Sequence, residues 1–185
     1  MSKEKIEPNI ILSIDIHSLR NIPMCVTNSD GNILSLTFVE KNASYHTIRM
    51  KVIDMINLLR QKHPIDTIIM EENKLFIDKI DRHPDPIVYR NIVLGFSVEI
   101  AVLDFYYKSI KNILALPLKD WRNKVLNSTT KYSIDLYKSH ICLRDDISQE
   151  FMDIINTYNF YKVICLSESI FFNSLMDIKY KLNKE

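Results

Sequence analysis

Two short aliphatic runs in this chain each stop at a carboxylate: Ile10-Ile11-Leu12-Ser13-Ile14 ends at Asp15, and Thr67-Ile68-Ile69-Met70 ends at Glu71. Runs this short and this rich in β-branched residues read as buried strands. Each acid therefore falls at the end of an inner strand, where burying its charge is costly without compensation. A metal ion shared by the two would supply that compensation. Taken singly, each acid also suits a strand end that caps the following turn.

The elements follow in an order that limits the architecture. A first strand covers residues 9 to 15, and Cys25–Thr27 and Ile33–Val39 form a hairpin through the polar turn Asn28-Ser29-Asp30-Gly31-Asn32. From Tyr45 to Lys62 the apolar residues Ile48, Val52, Ile53, Met55, Ile56 and Leu59 keep helical spacing, and His63-Pro64 closes the helix. The Thr67 strand comes next, then a proline-limited loop, Asp81 to Pro86, and a long apolar helix from Ile87 to Tyr107. Its expected packing face is Val88, Ile92, Val93, Phe96, Ile100 and Leu103. Ile113–Leu116 is a last strand closed by Pro117, and helices are predicted over 131–142, 149–158 and about 161–182. The fold class is α/β, with a mixed central sheet flanked by helices.

A chain of 185 residues is expected to form one domain with a core of its own, residues 1–8 being a flexible tail. Cys25, Cys142 and Cys165 have no C-x-x-C spacing, and their odd number argues against a disulfide framework. With no secretory leader and no uninterrupted apolar run of about 18 residues, the expectation is a soluble intracellular protein without a membrane partner. Lysine and arginine number 24 against 23 acids, so any nucleic-acid surface must come from local clustering. Gly31 and Gly95 are the only glycines, which excludes the glycine-rich phosphate loops.

Four motifs in sequence carry a resemblance. They are Ser13-Ile14-Asp15-Ile16-His17-Ser18-Leu19-Arg20-Asn21, Ile69-Met70-Glu71-Glu72-Asn73, Lys131-Tyr132-Ser133-Ile134-Asp135-Leu136-Tyr137 and Cys165-Leu166-Ser167-Glu168-Ser169. In this order they resemble the poxvirus Holliday-junction resolvases, the viral branch of the RuvC-like nucleases, over about Asn9 to Asn183. The element order likewise suits the RNase H-like fold of that superfamily. The resemblance implies an endonuclease that binds branched DNA and hydrolyses phosphodiester bonds with two Mg²⁺ ions (Mn²⁺ as a substitute) in viral recombination and concatemer resolution. It assigns metal binding to Asp15, Glu71 and Glu168, with Lys131 on the scissile phosphate.

The same resemblance implies a homodimer on the junction and a place at viral replication sites in the host cytoplasm. Two positions depart from the pattern. The family places two aspartates three residues apart in the last helix, but here Cys165 stands for one of them, and a thiol is a poor magnesium ligand. His17 stands where the family has glycine. Together they open a second reading, an inactive homologue that binds DNA or protein, and a weaker one in which His17 and Cys165 hold a softer metal. The basic stretch with Lys119, Arg122 and Lys124, with Lys131 beyond it, is the expected DNA contact, and Trp121 is either a base-stacking platform or a core residue.

Overall fold

The computed structural model describes residues 9–72, 86–126 and 134–170. Strands β1 (Ile10–Ile14), β2 (Asn21–Asn28) and β3 (Ile33–Glu40) precede helix α1 (Tyr45–Lys62), strand β4 (Thr67–Glu71), helix α2 (Pro86–Tyr106) and strand β5 (Asn112–Leu116). Helices α3 (Leu118–Val125), α4 (Ile134–Cys142), α5 (Gln149–Tyr158) and α6 (Tyr161–Glu168) follow. One five-stranded sheet runs β3-β2-β1-β4-β5, antiparallel across β3, β2 and β1 and parallel across β1, β4 and β5. This is the mixed sheet expected from the element order. The two parallel pairings need crossovers, which α1 and α2 supply.

Side chains alternate between the faces of a strand, and here the alternation splits the core in two. Leu12, Ile14, Ile68 and Met70 meet α1 and α2 on one face. Ile11, Cys25, Ile69 and Leu114 meet Trp121, Tyr137 and the residues of α6 on the other. Helix α1 begins at Ser44, whose hydroxyl accepts the Thr47 N–H at 3.2 Å, and it buries Ile48, Val52, Ile53, Ile56 and Leu59 as its spacing requires.

Helix α2 differs from expectation in the face it buries. Ile92, Leu94, Val98, Ala101, Val102 and Tyr106 turn inward, and the Tyr106 hydroxyl donates to the Ile53 carbonyl at 3.0 Å. Of the expected face, Ile100 is 54% exposed and Val93, Phe96 and Leu103 are only half-buried. The helix is apolar nearly all round, so periodicity alone could not choose its inner side. By length and composition α2 could cross a membrane, yet it packs here on α1 and the sheet. The expected last helix is described only to Ile170, and residues 171–182 of it lie outside the described residues, as do 131–133, the start of the helix expected over 131–142 that is described as α4 from Ile134.

Candidate functional site

Strand parity places the two acids together. Residues Ile11 and Ser13 of β1 face α6, so Asp15, two further on, does too; on β4 the same holds for Ile69 and Glu71. Ser13 pairs with Ile69 and Ile14 with Met70, which carries Asp15 to the flank of Glu71. The structure brings the two carboxylates, Asp15 and Glu71, together.

What lies between them was not expected. The ammonium of Lys162, in the first turn of α6, stands 2.8 Å from Asp15 Oδ1 and 3.0 Å from Glu71 Oε2. Serine at position 13 allows this approach, because its hydroxyl donates to the Val163 carbonyl at 2.8 Å and brings the helix backbone against the strand. The helix is set at its start by Asn159, which adopts a left-handed conformation (φ 59°, ψ 51°) as the C-cap of α5 and returns its N–H to the Ile155 carbonyl.

The charges respond as this geometry dictates. Burial opposes ionisation of Asp15, but the Lys162 ammonium and its hydrogen bond outweigh it and hold the carboxyl below its usual range. Glu71 is pushed upward, by burial first and by the negative Asp15 beside it, although Lys162 and the Trp121 indole work the other way. Lys162 itself is buried, which disfavours its charge, yet the two carboxylates raise it well above an ordinary lysine. His17 is held neutral: burial and then Lys162 lower it to about 3. Its backbone N–H donates to Asp15 Oδ1 at 3.2 Å.

Lys41 braces the same loop from below. Its ammonium donates to the Ile16 and Ser18 carbonyls at 3.0 and 2.5 Å and to Asn91 Oδ1 at 3.3 Å, and burial lowers it to about 8. The loop after β1 is thus tied to α2.

Glu168 is not brought to the sheet acids. Its Oε1 accepts from Arg144 at 2.5 Å and its Oε2 meets His140 Nε2 at 2.6 Å, both partners coming from α4 and the turn after it. Arg144 also pairs with Asp146 and donates to the carbonyl of Gly31, at the tip of the β2–β3 hairpin, at 3.0 Å. Gly31 has φ 83°, which that tight tip requires. Cys165 accompanies His140 and Glu168 rather than His17, so the soft-metal pairing of His17 with Cys165 is corrected: helical spacing turns Cys165 toward α4.

Trp121 is 2% exposed and stacks on Tyr137 with ring centres 5.9 Å apart, which excludes it as a platform for a base. Arg122 is half-buried. Lys131 and the side chains of Lys119 and Lys124 lie outside the described residues.

No protein-family model and no curated protein matches the sequence. Solved structures do match the architecture. RuvC of Thermus thermophilus, in complex with a Holliday junction substrate, superposes with a TM-score of 0.57 at 8% identity, covering 90% of this chain and 94% of that one. A second structure of Thermus thermophilus RuvC gives 0.55 at 7% identity, covering 89% and 94%. The fold is that of RuvC. At such identity the likeness speaks for the RNase H-like fold and leaves the chemistry to the residues.

Those residues do not fit a magnesium ion at the sheet acids. Mg²⁺ requires near-octahedral oxygen ligands at roughly 2.0–2.1 Å, and the oxygens of Asp15 and Glu71 that would face it already share an ammonium. A divalent ion bound to both would stand against the Lys162 charge with its third expected ligand, Glu168, committed to Arg144 and His140. The sequence held one clue to Lys162, a lone charge inside the apolar segment Phe160 to Leu166. It also lies three residues before Cys165, the spacing that the resemblance gives to two aspartates.

Proposed function

We propose that this chain is a resolvase-fold protein that binds branched DNA, four-way junctions foremost, and holds it without metal-dependent cutting. The observation that carries the reading is the Lys162 bridge at 2.8 and 3.0 Å, a tethered cation in the place where a nuclease of this kind would hold a metal. Cys165 stands in place of one helix acid and Glu168 is engaged by Arg144 and His140, while Asp15 and Glu71 keep their places on the sheet with Lys162 between them. Branched DNA as the partner rests on the RuvC fold, whose solved relative carries a Holliday junction substrate, and on the motif order similar to poxvirus resolvases. Its place of action is then the cytoplasmic site of viral DNA replication.

A homodimer belongs to the same proposal. Tyr89 and Ile100 on α2, with Phe105 and Tyr107 at its end, are exposed, and Val93 and Phe96 between them are half-buried. An apolar stripe of this kind suits an isologous contact on a two-fold symmetric junction.

Gel-shift and cleavage assays on one synthetic four-way junction test the reading. The expected result is a retarded complex that prefers the junction over linear duplex, with intact strands in Mg²⁺ and in Mn²⁺. Strand cleavage that is lost in Asp15→Asn would instead establish the nuclease reading, with Asp15, Glu71 and Glu168 on the metal and Lys131 on the phosphate. Equal affinity for linear duplex would remove the junction from the proposal.

A further inference from the structure

The second polar cluster, between α6 and α4, has the composition of a transition-metal site. Among the described residues, His140, Cys165 and Glu168 are the trio whose ligand atoms lie together, all within 4.8 Å of one another. Cys165 and Glu168 come from one face of α6 at a spacing of three, and His140 comes from the last turn of α4. Cys165 and Glu168 are buried, while the His140 side chain is 30% exposed and leaves one edge open to solvent.

We propose that His140 Nε2, Cys165 Sγ and Glu168 Oε2 bind a zinc ion that ties α4 to α6. Zinc takes a thiolate, an imidazole and a carboxylate at roughly 2.0–2.3 Å in tetrahedral geometry, which places ligand atoms farther apart than the 2.6 Å now separating His140 Nε2 from Glu168 Oε2. A small rotation of the half-exposed imidazole provides that separation. Arg144 holds Glu168 Oε1 at 2.5 Å and so presents Oε2 to the metal, as an outer partner orienting a ligand.

The charges balance without further groups. The Cys165 thiolate and the Glu168 carboxylate neutralise Zn²⁺, while Arg144 is matched by Asp146. Binding releases the thiol proton of Cys165 to solvent, and water fills the fourth position at the open edge. Because Arg144 also grips the Gly31 carbonyl, the ion would fix α4, α6 and the β2–β3 hairpin as one unit.

Titration of the chelator-treated full chain with Co²⁺, followed by displacement with Zn²⁺, tests the site. One equivalent of Co²⁺ should raise a near-ultraviolet thiolate-to-cobalt charge-transfer band that Zn²⁺ abolishes, and Zn²⁺ should raise the melting temperature. Cys165→Ser should eliminate the band, and His140→Ala, at the open edge where folding is least disturbed, should weaken Zn²⁺ binding at least about ten-fold. Cys142→Ser, which removes the exposed thiol, should leave the band unchanged. Absence of the band, its survival in Cys165→Ser, or its loss in Cys142→Ser would overturn the assignment.

Discussion

The ammonium of Lys162 meets the carboxylate of Asp15 at 2.8 Å although 147 residues separate them in the chain. This contact joins the N-terminal strand to the last described helix and sits where the side chains are 15% and 5% exposed. Removing one partner of a buried ion pair leaves the other uncompensated, which costs about 3–5 kcal/mol. Lys162→Met should therefore lower unfolding free energy by about that much in urea titration. Lys162→Met with Asp15→Asn and Glu71→Gln should recover most of the loss, because no buried charge is left unpaired.

The contact depends on the room that Ser13 leaves. Ser13→Val would remove the hydroxyl bonded to the Val163 carbonyl and press two methyl groups against α6, at a cost of about 1–3 kcal/mol for overpacking. Ser13→Ala should cost nearer 1 kcal/mol, the net worth of one hydrogen bond. Thermal melts of the two variants should rank in that order.

Backbone conformation at Asn159 makes a separate test of how α6 is aimed. A β-branched residue in the left-handed region costs about 1–2 kcal/mol relative to its allowed conformations. Asn159→Val should be destabilised by about that amount, while Asn159→Gly should stay close to the parent, since glycine takes φ 59° freely. Equal losses in both would show that the side chain, not the backbone, matters there.

Acid should act on His17 before it reaches Asp15. His17 is lowered from 6.5 to about 3 by folding, so the unfolded chain takes up a proton in that window and the folded chain does not. The stability it supports is complete above pH 6.5 and declines as pH falls toward 3, by at most about 1.4 kcal/mol per pH unit. Asp15, lowered by Lys162, adds a further loss below its ordinary value of 3.8. Lys162, raised by the carboxylates, contributes fully below 10.5 and its share fades as pH rises through its folded value. Comparison with His17→Gln isolates the histidine: the difference in unfolding free energy should be flat above pH 6.5 and slope below it.

Much of the fold was legible because the inner strands are short aliphatic runs and α1 keeps helical spacing. The short, continuous aliphatic runs Ile10–Ile14 and Thr67–Met70 located both inner strands and their terminal acids, and the turn at Asn28–Asn32 located the hairpin. The face of α2 was not legible, since nearly every side of that helix is apolar. The site was legible at its sheet half only. Lys162, His140 and Arg144 acquire meaning through tertiary contact, and helical spacing fixed Cys165 with Glu168 without saying which neighbouring helix they would face. Trp121 in a basic stretch suggested a surface, but the described core takes its ring against Tyr137.

Whether Lys162 stands in for a metal is decided most directly by Mn²⁺ titration of the full chain, read by water-proton relaxation, beside Asp15→Asn and Lys162→Asp. The wild type and Asp15→Asn should give the same titration, because the sheet acids are already occupied by the ammonium. Lys162→Asp, which exchanges that cation for a third carboxylate, should gain a Mn²⁺ site that is lost again when Asp15→Asn is added. A wild-type Mn²⁺ site that disappears in Asp15→Asn would contradict the account, because it would show the acids open to a divalent ion with Lys162 in place.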